Sequence, residues 1–307
     1  MVTYNNLIND LKSFEIKEGD TLFLRISYKA VGEIENGPKT FIDALLNVIG
    51  ESGTMILTAF PKEYHSFARI FYKNKISSEN NLPMPYTGVM SVLALKYPNA
   101  LVSKKLIFPF VVIGKHAKYL TENHTNEKEG FWLLREAIEK FDSKCLRIGG
   151  DTLTGTTHLA FTDMLKKYKY YQKSLPIGLY IKEDNEIRWQ TEPISNFCRK
   201  GFKKMYDQLI YPYISKKEGK VGNGYAIVTK MKETLDKERE ILFKNPKEIL
   251  CEDSNCVRCR TTFTFSDSTN IKFVIKQLYK LKLNNIKTPL SQIKFVILNF
   301  LFGKKIQ

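Results

Sequence analysis

The residue best placed to do chemistry is His158, in the stretch from Leu146 to Lys166 that reads LRIGGDTLTGTTHLAFTDMLK. Cys145 to Ile148 reads as a buried strand, Gly149 and Gly150 break it, Asp151 to Thr157 forms a polar turn, and the spacing from Leu159 onward is helical. The segment therefore runs strand, tight turn, helix. His158 stands on the first helical turns, beside the hydroxyls of Thr154, Thr156 and Thr157. In open α/β sheets, ligands sit where strands end and helices begin. A neutral imidazole there can take a proton from a nucleophile near pH 7. The same spacing also suits a helix-start histidine satisfied by a backbone carbonyl.

The elements that must position this segment alternate along the chain. Leu7, Leu11 and Phe14 fall at helical spacing, Gly19-Asp20 makes a turn, and Thr21 to Leu24 reads as a strand that Arg25 to Val31 leaves as a polar loop. Phe41 to Ile49 is an apolar helix closed by Gly50, and Thr54 to Phe60 is a strand stopped by Pro61. This order predicts an α/β fold, a layered sheet with helices on both faces. Glu63 to Tyr86 has no clean period and reads as a long surface excursion. Helices are expected over Gly88 to Tyr97, from Lys115 and from Phe131, with a strand at Phe110 to Ile113. Further on come a hairpin from Leu179 to Ile187, a helix from Phe202 to Ile210, a Gly-rich turn from Gly219 to Gly224, a strand or helix start at Tyr225 to Val228, and a charged helix from Lys232 to Phe243.

Composition narrows the function classes. The N-terminal stretch MVTYNNLINDLKSF lacks the basic region and apolar run of a signal peptide, and no stretch approaches the ~18 apolar residues of a membrane span. Five cysteines, odd in number and unevenly placed, fit a reducing cytoplasm. The formal net charge is +16, of which residues 260–307 carry +8. A basic chain attracts nucleic acid, anionic membrane or anionic ligands. No RNA-binding signature or zinc-finger spacing accompanies the charge, so nucleic acid is not expected as a partner.

Several stretches, in order, resemble the aminoglycoside 3-N-acetyltransferase family, also called the antibiotic N-acetyltransferase family. GDTLFLRISYKAVGEIENGPKTFIDALLNVIGESGTMILTAF looks like its opening strand, His-Ser-Ser loop, helix and second strand. LVSKKLIFPFVVIGKHAKYL resembles its Arg-Ser-x-His-Pro segment, and LRIGGDTLTGTTHLA its Gly, Asn-Thr, His-x-x-Glu segment. GKVGNGYAIV, LFKNPKEIL and CVRC are similar to its closing segments, so the likeness spans Leu7 to Cys259. It implies a domain over 1–259 followed by a basic amphipathic tail over 260–307. It also implies acetyl-CoA as donor and an amino sugar as acceptor, with a histidine as general base oriented by carboxylates. His158 falls on that position, and Arg25, Ser27, Tyr28, Ser103, Lys104, Lys105 and Thr156 fall on segments that line the CoA side.

The chain departs from the pattern at telling places. The family's Glu, three residues after the His, is Phe161, and its downstream Asp aligns with Asn196. The first loop's His and first Ser become Arg25 and Ile26, and the second segment's His and Pro become Lys105 and Leu106. Asp151 is the better substitute carboxylate, because Asp163 projects away from His158 along the same helix. Two readings follow: a divergent acetyltransferase, or a non-catalytic relative that binds a CoA-like ligand or a protein partner. Aminoglycosides are polycations and suit an acidic cleft, whereas a basic chain favours nucleotide- or lipid-linked amino sugars of surface polysaccharide. No metal is expected, because only Cys256-Val-Arg-Cys259 has a zinc-like interval. In the tail, Lys272, Lys276 and Lys280 form one helical stripe opposite Ile271, Val274, Ile275, Leu278 and Leu281, and an apolar run follows from Leu290 to Phe302. The region 264–307 is expected either to pack on the core or a partner subunit of a homo-oligomer, or to make peripheral contact with the inner face of the membrane.

Overall fold

The structure is a computed structural model. It describes residues 1–61, 64–65, 76–77, 85–105, 107–127, 129–150, 155–168, 171–172, 177–183, 186–192, 198–254, 256, 259 and 304–305. The chain divides into two compact units: 1–156 with 178–190 and 214–234, and 157–177 with 191–213 and 235–307.

The first unit is built on a seven-stranded mixed sheet. Its strands are β1 (Thr21–Ile26), β2 (Thr54–Thr58), β3 (Leu101–Val102), β4 (Phe110–Gly114), β5 (Lys144–Ile148), β6 (Lys216–Val221) and β7 (Gly224–Lys230). They lie in the order β6-β7-β5-β1-β2-β4-β3. β1 is parallel to both β2 and β5, while β7 and β4 pair antiparallel on either side of this trio. The central strands β1, β2, β4 and β5 are largely apolar runs because both faces are covered, whereas the edge strand β6, Lys-Lys-Glu-Gly-Lys-Val, is mostly exposed. Leu22, Leu24, Met55, Leu57, Leu146 and Ile148 face a core shared with Leu7 and Leu11 of the first helix, Tyr4–Ser13, and with Phe41, Ile42 and Leu45 of the helix Lys39–Ile49. The alternate residues turn the other way. There Phe23 meets Phe110 edge-on at 6.4 Å, and Phe110 meets His124 of the helix Ala117–Asn126 at 5.4 Å. Phe110 is fully buried, so its truncation to Ala would cost about 3–5 kcal/mol. A smaller sheet is built around Ile177–Glu183, flanked by Glu186–Glu192 and Tyr64–His65.

Two local expectations change. Arg25 and Ile26 belong to β1 rather than to a loop. Their register continues against Arg147 and Ile148, and the Ser27 N–H donates to the Ile148 carbonyl at 2.9 Å. Only Ser27 separates the strand from a one-turn helix, Tyr28–Val31. The turn expected over Gly219 to Gly224 shrinks to Gly222-Asn223, with Gly219 inside β6 against the Phe14 ring. Gly222 adopts φ +59°, and a Cβ there would lie 2.6 Å from the Val31 carbonyl, so the tight hairpin requires glycine.

In the second unit, the helix Thr156–Tyr168 carries Asp163, which takes two hydrogen bonds from the Arg239 guanidinium at 2.6 and 2.9 Å. Arg199–Met205 runs on through a π turn, Tyr206–Ile210, and a 3-10 turn, Tyr211–Tyr213, so helical structure continues over Pro212, where the sequence predicts an end before that residue. Lys304–Lys305 pairs antiparallel with Tyr171–Gln172. The rest of the tail lies outside the described residues. Among the described residues no helix is long and apolar enough to cross a membrane.

Candidate active site

The carboxyl ends of β1, β2 and β5 open into a cleft of about 210 Å³, lined by Arg25, Ser27, Thr58, Ser91, Arg147 and Gly149 among others. This is the end at which α/β sheets take ligands. Both strands that supply arginine finish in the same tripeptide, Leu24-Arg25-Ile26 and Leu146-Arg147-Ile148, and these pair residue for residue. Register partners on parallel strands point to the same face, about 4.8 Å apart. The fold therefore places Arg25 and Arg147 on the same face of the sheet, and the described residues lining the cleft include no acidic one. Arg147 is almost wholly buried, bonded to the Gly150 carbonyl at 3.4 Å and over the Tyr225 ring at 5.9 Å; after the larger effects of Lys216 and Tyr225, its charge helps hold the Glu218 carboxyl below its usual range.

The turn after β5 is shaped for close approach. Gly149 has φ +58°, and a Cβ on it would lie 2.4 Å from the Ala30 Cβ. Its N–H donates to the Tyr225 carbonyl at 2.8 Å. The Ser27 hydroxyl makes no cap to the one-turn helix it precedes and lines the cleft instead. On the opposite wall, the Thr87 hydroxyl donates to the Thr58 carbonyl at 2.8 Å and lies 3.0 Å from the Ser91 hydroxyl.

The other residues assigned to the CoA side take varied places. Tyr28 packs against the apolar core. Ser103 is wholly buried, and its hydroxyl accepts the Phe110 N–H at 3.0 Å, so it closes the β3–β4 pair rather than lining the cleft. Lys104 is exposed, its backbone N–H held by the Thr125 hydroxyl, while the Lys105 ammonium donates to the Glu127 carbonyl. Thr156 is buried at the start of its helix.

In the second unit His158 lies on the first turn of the helix Thr156–Tyr168, partly exposed, its carbonyl accepting the Thr162 hydroxyl at 2.8 Å. Phe161 is buried in the core. Asp151 and Asn196 lie outside the described residues. Asp163 is committed to Arg239. The carboxylate that grips this helical turn is Glu238: the hydroxyl of Thr157, next to His158, donates to Glu238 at 2.6 Å and lies 3.0 Å from the Tyr206 hydroxyl, which also donates to Glu238. All three residues are fully buried.

The model of the aminoglycoside 3-N-acetyltransferase family matches residues 23–242, most of the chain. The chain belongs to this family. The SPbeta prophage-derived aminoglycoside N(3')-acetyltransferase-like protein YokD of Bacillus subtilis strain 168 is 24% identical over 254 residues, covering 76% of this chain and 90% of that protein. The structure of aminoglycoside acetyltransferase AAC(3)-IVa as an apoenzyme shares the fold, with TM-score 0.66 at 21% identity over 85% of this chain and 97% of that one. AAC-IIIb, solved as a binary complex with CoASH, does so with TM-score 0.65 at 18% identity over 79% and 96%. Family membership makes N-acetyl transfer the activity class.

Within the family frame, two residues escaped the sequence. Arg147 was hidden in what reads as an apolar strand run, though the repeated Leu-Arg-Ile ending of two strands signals it. Glu238 stands in a charged helix, yet Met231, Leu235, Glu238 and Leu242 follow a four-three-four spacing and are all buried. That spacing places a carboxylate on the core stripe.

Proposed function

We propose that the protein transfers the acetyl group of acetyl-CoA to the amine of a phosphate-bearing amino sugar, nucleotide- or lipid-linked and used for surface polysaccharide, rather than to an aminoglycoside. The observation that carries this reading is the in-register pair Arg25 and Arg147 in a cleft whose described lining residues include no acidic one. A polycationic acceptor is repelled by such a surface, and an anionic one is drawn to it. The guanidinium pair, the Ser27 hydroxyl and the basic Lys104–Lys105 segment serve the phosphates of CoA. Arginine forks onto phosphate oxygens, and lysine acts as a point charge.

The acceptor must attack as a neutral amine, because an ammonium has no lone pair. The nitrogen bonds to the thioester carbonyl carbon, the carbon–sulfur bond breaks, and CoA leaves as a thiolate. His158 takes the proton from nitrogen and returns it to sulfur, closing the balance as amide plus free thiol. Asp151 or Asn196 orients the imidazole. Glu238, through Thr157, fixes the helical turn on which His158 stands. Loss of a full orienting carboxylate lowers turnover by up to about 10⁴ in a serine-protease triad, so slow transfer is the outcome of an asparagine and a phenylalanine at the family's carboxylate positions.

Buried Phe161 favours the second reading, a relative that binds CoA without turnover. Thiol release from acetyl-CoA separates the two. Pure protein is given a panel of nucleotide-linked amino sugars and aminoglycosides, beside His158→Ala. Transfer needs release with a phosphate-bearing acceptor that falls by about 10²-fold or more in the variant. CoA binding without release on any acceptor establishes the binding role, and unchanged release in His158→Ala removes the base assignment.

A further inference from the structure

Two separate stretches of the second unit bring four thiols together. The sulfur atoms of Cys198, Cys251, Cys256 and Cys259 all lie within 4.8 Å of one another, and those of Cys198 and Cys256 are 3.6 Å apart. None of the four is in a disulfide. Four thiolates at about 2.3 Å from a tetrahedral zinc ion stand about 3.8 Å from one another, which is the spacing this cluster approaches.

The backbone prepares the cluster for anionic sulfur. The N–H groups of Lys200 and Gly201 bond to the Cys198 sulfur, that of Cys259 bonds to Cys256, and the Cys251 N–H donates to the Cys259 sulfur at 3.3 Å. Such outer contacts orient metal ligands and spread their charge. The approach of the two chain segments is itself built in. A Cβ on Gly201 would lie 2.2 Å from the Ile249 carbonyl, so glycine lets the Arg199–Met205 helix close onto the segment that leads into Cys251. With protons alone, the Cys256 thiol donates to the Cys198 sulfur. One divalent cation replaces those protons and satisfies all four sulfurs at once.

We propose that Cys198, Cys251, Cys256 and Cys259 bind a structural zinc ion that ties the start of the Arg199–Met205 helix to the segment Cys251–Cys259. The set is closed, with four protein ligands and no position left for substrate, and tetrahedral all-sulfur coordination selects zinc or iron among common metals. Sequence spacing concealed the site because only Cys256 and Cys259 stand at a knuckle interval, while Cys198 arrives from another part of the chain.

The test is elemental analysis of the full chain purified under reducing conditions. About one zinc per chain is expected, released in step with thiol modification by an organomercurial. Replacement by cobalt(II) should give the absorption of a tetrahedral thiolate site. Cys198→Ser and Cys256→Ser should each bind less than about a tenth of the wild-type zinc, while Cys145→Ala, which alters the fifth cysteine in β5, keeps it. The mercurial and cobalt measurements use the unaltered chain and stand even if a serine variant fails to fold. A chain that holds no zinc after reduction and reloading, one that holds iron in its place, or one whose mass shows a Cys198–Cys256 disulfide overturns the proposal.

Discussion

The seven-stranded sheet has a cleft at each end of its parallel strands, and the two arrange positive charge differently. At the amino ends, a cleft of about 460 Å³ is lined by Lys17, Lys144, Lys216, Lys217 and Lys230 together with Glu15, Asp20 and Asp142. Lys144 pairs with Asp20 at 2.7 Å, Lys217 with Glu15 at 2.7 Å, and Lys216 with Glu218. At the carboxyl ends, the smaller cleft holds Arg25 and Arg147, with no acidic residue among the described residues that line it.

The contrast can be broken or sharpened by substitution, and the largest effect belongs to a group the fold keeps uncharged. His124 is wholly buried behind Phe110, its Nε2 bonded to the Gly130 carbonyl at 3.1 Å. Burial lowers its pKa from 6.5 to about 4, so the unfolded chain takes up the proton first as the pH falls. Its stability contribution is complete above pH 6.5 and is lost as the pH drops toward 4, by about 3 kcal/mol. Urea unfolding across that range should show the loss, and His124→Gln should flatten it. The carboxyl-end turn comes next. Gly149→Ala forces a side chain onto Ala30 at positive φ and should cost about 2–3 kcal/mol in urea, with weaker CoA binding. At the amino ends, Asp20→Asn strips Lys144 of its half-buried partner, for a loss of about 1–2 kcal/mol and no change in CoA affinity. Lys217→Ala, an exposed pair, should move stability by less than about 0.5 kcal/mol in the same assay.

Much of this contrast was legible before the structure. Apolar runs such as Cys145–Ile148 and Thr54–Phe60 mark their strands, since buried strands need little else. The family's segments placed Arg25, Ser27 and His158 at strand ends and on a helical turn. What stayed hidden depends on register and on distant partners. Arg25 reads as a loop residue until its pairing with Arg147 shows that the strand continues. The hydrogen bond by which the Ser103 hydroxyl accepts the Phe110 N–H is invisible without the fold. Glu238 needs a helical wheel, and the four cysteines need the fold itself, because no local pattern joins Cys198 to the other three.

Calorimetric titration with CoA tests the central contrast most directly. It compares the wild type, Arg25→Ala/Arg147→Ala, and Lys144→Ala/Lys217→Ala, at two salt concentrations. Hydrogen bonds to charged groups contribute about 1.5–3 kcal/mol each, so the arginine pair should weaken CoA by at least about a hundredfold and blunt its salt dependence. The lysine pair should change it by less than about threefold. Full CoA affinity in the arginine variant, together with loss of binding in the lysine variant, would move the donor site to the other end of the sheet and contradict the account.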